Sequence, residues 1–303
     1  MSNTLRQAEA AADHAMRHWS LEDAAPIELG SEAHKRMFCR MLLETHNPYK
    51  PAVIAWPALL PDALARVTSL PIWDIAVQTE GRASVRVATY AASVRDAMLR
   101  EALELNGAEE ARHKVVLSKL VAAYGIALAP EPEYSAPSNV EWAWMLTGFS
   151  ECIDSFFAFG LFRSAQLSGF FPMELIDTFE PVIQEEARHI LFFVNWAAWH
   201  RRNLPWWKRP WFFVRIVAVW CVLVWERMAI AKGIDGDGIA QDANFAMTGA
   251  ASVGNSISPR RLIELCLEEN ERRMSGYDGR LLRPAFVPRL AKFALRFIKN
   301  SNS

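Results

Sequence analysis

The sequence lacks the cysteine patterns that indicate disulfide-bonded scaffolds or small metal-binding domains. Its 303 residues include only four cysteines, which are widely scattered and form no Cys-x-x-Cys pair. This distribution argues against a disulfide framework, a zinc ribbon and an attached rubredoxin-type iron domain. The N-terminal residues also lack the apolar core of a signal peptide. We therefore expect a protein of the reducing cytoplasm.

The chain also lacks a dominant charge and a hydrophobic segment long enough to cross a bilayer. It has 33 basic and 34 acidic residues, so its overall charge does not indicate nucleic-acid binding. In its most hydrophobic region, 210–232, the longest unbroken apolar run is 216–225, only ten residues. A membrane-spanning helix needs about 20. We predict that 210–232 is instead a helix packed against the rest of the domain.

No alternating pattern of apolar and polar residues has a useful length, which argues against β-sheet. Helices are expected almost everywhere else, and the predicted fold class is all-α. The breaks fall at a connector with four prolines, 47–62, and at an extended linker, 125–137. Helical patterns are predicted at 4–18, 31–45, from 71 to about 125, from 138 onward, and at 172–200, 210–232, 259–275 and 286–299.

The most informative feature that is present is a repeated pentapeptide, Glu-Glu-Ala-Arg-His. It occurs at Glu109–His113 and again at Glu185–His189. Each copy contains Glu-x-x-His, and residues three apart share one face of a helix. Two such helices facing each other would supply four of the six side chains of a two-metal carboxylate site. The predicted direct ligands are Glu110, His113, Glu186 and His189.

A further carboxylate is predicted from the position of the turn after the linker. Two residues of an antiparallel helix pair lie level only if the turn falls midway between them. For Glu151 and Glu186 the midpoint is near residue 168. Gly169 and Pro172 stand there, as expected between two helices. We therefore predict that Glu151 is a ligand.

The same argument applied to the first pentapeptide selects Glu80 as the partner of Glu110. The turn should fall near residue 95, where Ser93 or Asp96 could cap the second helix. This turn carries no Gly or Pro. The strong breaker Asn106-Gly107 lies instead just before the pentapeptide, and we expect a local distortion of the helix there.

The two hairpins must be joined so that their ligand faces meet. The linker 125–137 has 13 residues, which reach about 43 Å when fully extended. That length suits a long crossover in a four-helix bundle. We assign 1–70 to an N-terminal helical extension packed on the bundle, 71–200 to the dimetal four-helix bundle, and 201–303 to additional, partly hydrophobic helices of the same domain.

The predicted ligands are four carboxylates and two imidazoles, a set that suits Fe or Mn better than Zn. Four carboxylates also neutralise two divalent ions, which explains how so much charge could lie inside a bundle. We expect two Fe ions, with a Mn–Fe pair as the alternative.

This pattern resembles the ferritin-like dimetal-carboxylate superfamily, which includes ribonucleotide reductase small subunits, rubrerythrins, acyl-carrier-protein desaturases and bacterial multicomponent monooxygenases. Its motif is Glu, 28 residues, an acidic residue, then Glu-x-Arg-His. Here 28 residues separate Glu80 from Glu109, and 33 separate Glu151 from Glu185. The resemblance, over about 72–200, implies a ferritin-like fold. It also implies that Glu109 and Glu185 orient the ligating histidines, with supporting roles for Arg112 and Arg188.

Comparison with members of the superfamily narrows the implied chemistry. Leu117 stands where a reductase small subunit would carry its radical-forming Tyr, and Val182 replaces the third His of arylamine N-oxygenases. The remaining expectation is a cytoplasmic, homodimeric oxidase or oxygenase. It would use O2 and an electron donor of unknown type to oxidise a small apolar or fatty-acyl substrate. The alternatives are a ferroxidase or metal-binding protein without an organic substrate, and a metal-free structural bundle.

The segment after Glu151 is rich in phenylalanine. A stripe of this kind is usually core, but part of it could wall an apolar substrate pocket. The residues considered for such a pocket are Thr147, Phe156 and Phe159.

Aromatic and basic residues mingle at two places in the C-terminal third. Around 201–211, three tryptophans accompany Arg201, Arg202, Lys208 and Arg209, and in 286–299 a cationic stripe contains Arg289, Lys292, Arg296 and Lys299. Each could belong to a surface helix docked on the domain. The alternative is peripheral membrane contact, because both residue types favour the membrane interface.

Overall fold

The computed structural model describes residues 3–23, 25–49, 56–70, 72–231 and 258–298, with only the backbone of 229–231. Over these ranges the chain is all-α and contains no β-strand, which confirms the predicted fold class. The helices are α1 (Asn3–Arg17), α2 (Glu32–Glu44), α3 (Pro61–Thr68), α4 (Trp73–Ser93), α5 (Ala97–Ala123), α6 (Val140–Ser168), α7 (Met173–Asn203), α8 (Arg209–Ala231), α9 (Pro259–Met274) and α10 (Phe286–Ala294).

Two antiparallel hairpins, α4–α5 and α6–α7, form the bundle, and both turns fall where the spacing predicted. The carboxylate of Asp96 caps α5 by accepting from the amide of Leu99 at 2.9 Å. At the second turn Gly169 has φ 65°, a left-handed conformation that glycine adopts without steric cost. Pro172 then precedes the first residue of α7.

The linker 125–137 crosses the bundle from one end to the other. Near its start, the amide of Ala129 donates to the carboxylate of Asp74, at the beginning of α4, at 2.7 Å. Beyond its end, Trp144 of α6 stacks on Tyr90, near the end of α4, with ring centroids 5.6 Å apart. The chain therefore returns along the length of α4 before α6 begins, as a long crossover requires.

The connector 47–62 contains the start of a helix that the proline count did not predict. Pro61 opens α3, since the first turn of a helix tolerates a residue without an N–H group. Residues 50–55 of this connector lie outside the described residues.

The distortion predicted at Asn106-Gly107 is wrong. Helix α5 passes through both residues without interruption. Gly107 faces α4 instead, where an added Cβ would lie 3.4 Å from the backbone nitrogen of Ala88. The glycine therefore permits close packing of the two helices rather than breaking one of them.

The outer helices pack on this bundle, and the prediction for 210–232 is confirmed for its described part. Phe212, Val219 and Leu223 of α8 are buried in the main hydrophobic core. Among the described helices, only α6 is long and apolar enough to span a membrane by length and composition. Of its most apolar window, 56% is buried inside the protein, as in the core helix of a bundle.

Candidate metal centre

The six predicted ligand residues converge from all four helices of the bundle. Ligand atoms of Glu80, Glu110, His113 and Glu186 lie within 4.8 Å of one another. His189 joins them through Glu110, and Glu151 lines the same cavity as the other three carboxylates. The cluster thus receives one residue each from α4 and α6 and two each from α5 and α7.

Glu110 lies between the two histidines. Its Oε1 is 2.7 Å from Nδ1 of His189, while its Oε2 is 4.0 Å from Nδ1 of His113. Glu186 also reaches across, with Oε1 3.0 Å from Nδ1 of His113 on the other hairpin. Glu110 therefore faces both imidazoles, and Glu186 joins the two hairpins beside His113.

Several buried ligand atoms of this cluster make no well-aligned hydrogen bond, although both Nδ1 atoms lie within ion-pair distance of a carboxylate. These atoms are Nδ1 of His113, Nδ1 of His189, Oε1 of Glu110 and Oε1 of Glu151. Buried polar atoms without partners cost free energy. Cations held by the cluster would coordinate such atoms, so the donor set fits a metal site.

Each imidazole is held from its other nitrogen by a carboxylate of the opposite pentapeptide. Nε2 of His113 lies 2.7 Å from Oε2 of Glu185, and Nε2 of His189 lies 2.7 Å from Oε2 of Glu109. When Nε2–H donates to the carboxylate and Nδ1 carries no proton, the lone pair of Nδ1 is directed at the cluster. The two copies of the repeat therefore support each other's histidines.

Two arginines of the same repeats hold these supporting carboxylates. Arg112 donates to Oε1 of Glu185 at 2.6 Å. Arg188 donates to both oxygens of Glu109, at 2.9 and 3.1 Å. Arg188 is fully buried. Its other nitrogens donate to Thr45 Oγ1 at 2.7 Å and to the carbonyl of Leu42 at 2.6 Å.

One member of this network was missed by the sequence reasoning. Nδ1 of His46 lies 2.7 Å from Oε1 of Glu109. His46 follows α2, far from either repeat, and no spacing rule connects it to the site. Together with Thr45 it shows that the N-terminal extension closes one side of the supporting network.

Two of the carboxylates that line the cavity, Glu80 and Glu151, hold their protons strongly. Burial, together with repulsion from Glu110 and Glu186, raises the pKa of Glu80 to about 8. Burial and the same neighbouring charges raise the pKa of Glu151 well above its ordinary value. The pKa of Glu109 is instead well below its ordinary value, because Arg188 and its other partners outweigh burial.

The pKa values of His113 and His189 are shifted in the opposite direction to the pKa of a histidine buried in an apolar core. Burial alone would lower their pKa values, but the surrounding carboxylates raise both well above 6.5. The site therefore attracts cations of any kind, and protons occupy it when metal is withheld. A metal ion must displace them to reach the Nδ1 atoms.

A cavity of about 160 Å³ reaches the four carboxylates from the side of α4, α6 and α7. Thr147 lies in its wall, as considered from the sequence. Phe156 and Phe159 do not lie in the wall. Both pack in the main hydrophobic core instead, and this corrects the pocket prediction. The apolar wall is formed instead by small and aliphatic side chains and one ring, namely Ala76, Ala83, Leu117, Ala158, Phe179, Val182 and Ile183.

Comparisons of the chain with known protein families, curated proteins and solved structures found no match. The all-helical fold with a carboxylate–histidine cluster is compatible with a ferritin-like fold. The residues themselves support the presence of a candidate metal site.

Proposed function

We propose that this chain is a non-haem di-iron oxidase or oxygenase of the ferritin-like dimetal-carboxylate superfamily. It would use O2 and electrons from an external donor to oxidise a small, largely apolar organic molecule or a fatty-acyl chain. The observation that supports this proposal best is the cavity, because an apolar space ends on Glu80, Glu110, Glu151 and Glu186. A concave, mostly apolar space beside the ligands is typical of a site for an organic molecule.

The residues that would hold the metals are the six of the cluster. Glu80, Glu110, His113 and Glu186, whose ligand atoms lie within 4.8 Å of one another, would hold one ion. His189 beside Glu110, and Glu151 in the cavity wall, would complete the site for the second ion. When bound, two iron ions supply O2 activation, and a Mn–Fe pair is the alternative with the same ligands.

The protein's own contribution is to orient ligands and to exclude water. Glu185 and Glu109 fix the imidazole rings through their Nε2 atoms. Leu117, Val182 and Ile183 keep the wall of the cavity apolar, which limits competing reactions with solvent. Ser155 donates to Oε2 of Glu186 at 3.4 Å, so that carboxylate has a partner beside the cavity.

Thr147 has a separate role in this proposal. Its hydroxyl is buried, lines the cavity and has no hydrogen-bond partner among the described residues. It lies one helical turn before Glu151. We assign it a hydrogen bond to the substrate or to oxygen held in the cavity, because no protein group competes for its proton.

The first experiment is metal analysis of protein purified without chelator. We expect close to two Fe, or one Mn and one Fe, per chain. Glu110→Ala and His189→Ala should each lose metal. Less than about one Fe or Mn per chain, with both variants as stable as the parent, would leave a metal-free structural bundle and end the proposal.

The second experiment separates an oxygenase from a ferroxidase. Ala158→Phe should fill the cavity while leaving the ligands in place, and Val115→Phe on the exposed surface of α5 is its matched control. Iron-loaded protein is supplied with O2, a reductant and medium-chain fatty acids, and products are detected by mass spectrometry. The proposal predicts product that Ala158→Phe abolishes and Val115→Phe preserves. Iron oxidation that is equally fast in both variants, without organic product, favours the ferroxidase.

A further inference from the structure

Helix α8 is apolar on two opposite sides, but only one of them is covered. Phe212, Val219 and Leu223 pack into the core. The outward positions repeat with helical spacing and are exposed to solvent. They are Trp211, Val214, Val217, Cys221, Val224, Trp225 and Met228.

This outward stripe is long and rich in large side chains. Trp211 is 65% exposed and Trp225 is 60% exposed, and from residue 211 to 228 the stripe runs for about 26 Å. Just before it, Trp206 and Trp207 are 75% and 61% exposed. A soluble monomer seldom exposes a continuous apolar surface of this extent without a partner for it.

The surface continues onto α10. The rings of Trp220 and Phe286 have centroids 4.5 Å apart, which joins the two helices. The exposed apolar side chains of this second element also follow helical spacing. They are Phe286, Leu290, Phe293 and, just beyond the helix, Phe297. We call the outward side chains of α8 and α10, with Trp206 and Trp207, the α8–α10 face.

The apolar exposure of the described residues is concentrated on this part of the chain. Of the nineteen exposed large apolar side chains, fourteen belong to residues 206–228 and 282–297. The other five are spread between residues 5 and 173, and a few exposed apolar side chains are ordinary on any surface. The concentration indicates a specific partner rather than general hydrophobicity.

The charged residues along the face are basic except for Glu226 near the end of α8, although the chain as a whole is nearly neutral. No Asp or Glu occurs in 187–225 or in 279–303. Exposed cations flank the aromatic residues in both stretches, and none of them has a carboxylate partner among the described residues. They are Arg201, Arg202, Lys208, Arg209, Arg289, Lys292 and Arg296. Lys299, which the sequence places in the same stripe, lies outside the described residues.

We propose that the α8–α10 face binds the surface of an anionic lipid bilayer, with α8 and α10 lying in the plane of the interface. Exposed tryptophans suit the headgroup level, where an apolar ring and a polar N–H are both accommodated. Flanking cations add electrostatic attraction to anionic headgroups. The near absence of acidic residues along both helices favours an anionic surface over a protein partner of mixed charge.

The face is also connected to the cavity through one side chain. Arg227, near the end of α8, donates to both oxygens of Asp154, at 2.8 and 2.7 Å, and to Ser150 Oγ at 3.1 Å. Asp154 and Ser150 line the cavity. Attachment of α8 to a membrane would therefore bring the cavity wall near the bilayer. The binding proposal itself does not depend on the proposed oxygenase activity.

The test is co-sedimentation of the full chain with vesicles of phosphatidylglycerol or of phosphatidylcholine. We expect binding to the anionic vesicles, at least about tenfold weaker binding to the zwitterionic ones, and loss of binding as ionic strength rises from about 0.05 M to about 0.5 M.

Two variants with matched controls locate the surface. Lys208→Glu/Arg289→Glu/Lys292→Glu should weaken binding at least about tenfold. Arg36→Glu/Arg95→Glu/Lys119→Glu makes the same change of charge at exposed sites elsewhere and should bind like the parent. Trp206→Ala/Trp207→Ala should also weaken binding. Leu60→Ala/Leu167→Ala, at two other exposed positions, should not.

Two results would overturn the proposal. The first is failure of the parent protein to bind anionic vesicles at low ionic strength. In that case light scattering identifies a second copy of the chain as the occupant if the parent is a dimer and the tryptophan variant a monomer. Equal loss of binding in the charge-reversal variant and its control would show attraction by charge alone, and would also overturn the proposal.

Discussion

Nε2 of His113 and Oε2 of Glu185 lie 2.7 Å apart, although the two residues belong to different copies of the repeat and to different hairpins. The reciprocal pair, His189 and Glu109, has the same separation. The two copies of the repeat thus link α5 to α7 through two histidine–glutamate contacts. Each histidine is a candidate ligand on one helix that is oriented by the other.

The pairing of each histidine with the glutamate of the other repeat leads to a specific prediction about metal affinity. Glu185→Gln should weaken metal binding by about 10- to 100-fold, because its amide no longer fixes the His113 ring as a carboxylate does. After His113→Ala, the same Glu185→Gln change should have little further effect, whereas Glu109→Gln should still weaken binding. Titration with Fe(II) under anaerobic conditions measures the affinities of the parent and of the four variants. If the losses of Fe(II) affinity caused by His113→Ala and Glu185→Gln were additive, the pairing of these two residues would be contradicted.

Metal binding should release protons. In the metal-free protein the carboxylates raise the pKa values of His113 and His189, and the pKa of Glu80 is raised to about 8. A metal ion can reach these atoms only after their protons leave, so its affinity should rise from about pH 6 to about pH 8. Calorimetry in buffers of different ionisation enthalpy counts the protons released. A pH-independent affinity would show that the histidines are already neutral in the cluster.

The metal-free protein should lose stability as pH rises through the same range. The Glu80 carboxyl has a folded pKa of about 8 against an ordinary value of 4.5, so the folded state binds its proton more tightly. Its contribution to stability is complete below about pH 4.5 and is lost as pH approaches about 8. Denaturant unfolding with chelator present should show this fall, and Glu80→Gln should reduce its slope. A stability that rises over this range, with no effect of Glu80→Gln, would contradict it.

Arg188 should be among the most costly side chains to remove. It is fully buried, and its donors bind Glu109, Thr45 and Leu42. Arg188→Met leaves the Glu109 charge without its main partner and should reduce the free energy of unfolding by about 3 to 5 kcal/mol. Arg261→Met removes an arginine from an exposed pair with Glu268 and should cost less than about 1 kcal/mol. Urea unfolding of the metal-free proteins compares them, and similar costs would disprove the prediction.

The sequence by itself determined the helical class and the residues of the cluster. Two sequence patterns predicted these residues. One is the three-residue spacing of Glu-x-x-His, which is a property of a single helix, and the other is the position of the turn midway between two ligands, which is a property of a single hairpin. Glu80 and Glu151 were found this way, since Gly169 with Pro172 and Asp96 mark the turns.

Only the tertiary structure decided which side chains meet across helices. It paired each histidine with the acid of the other repeat, brought His46 to Glu109, and placed Phe156 and Phe159 in the core instead of the cavity wall. It also showed that Gly107, which the sequence suggested as a helix breaker, lies inside α5 and permits close packing against α4. Rotation of one helix about its axis relative to another sets all of these contacts, and no local pattern of residues encodes that rotation.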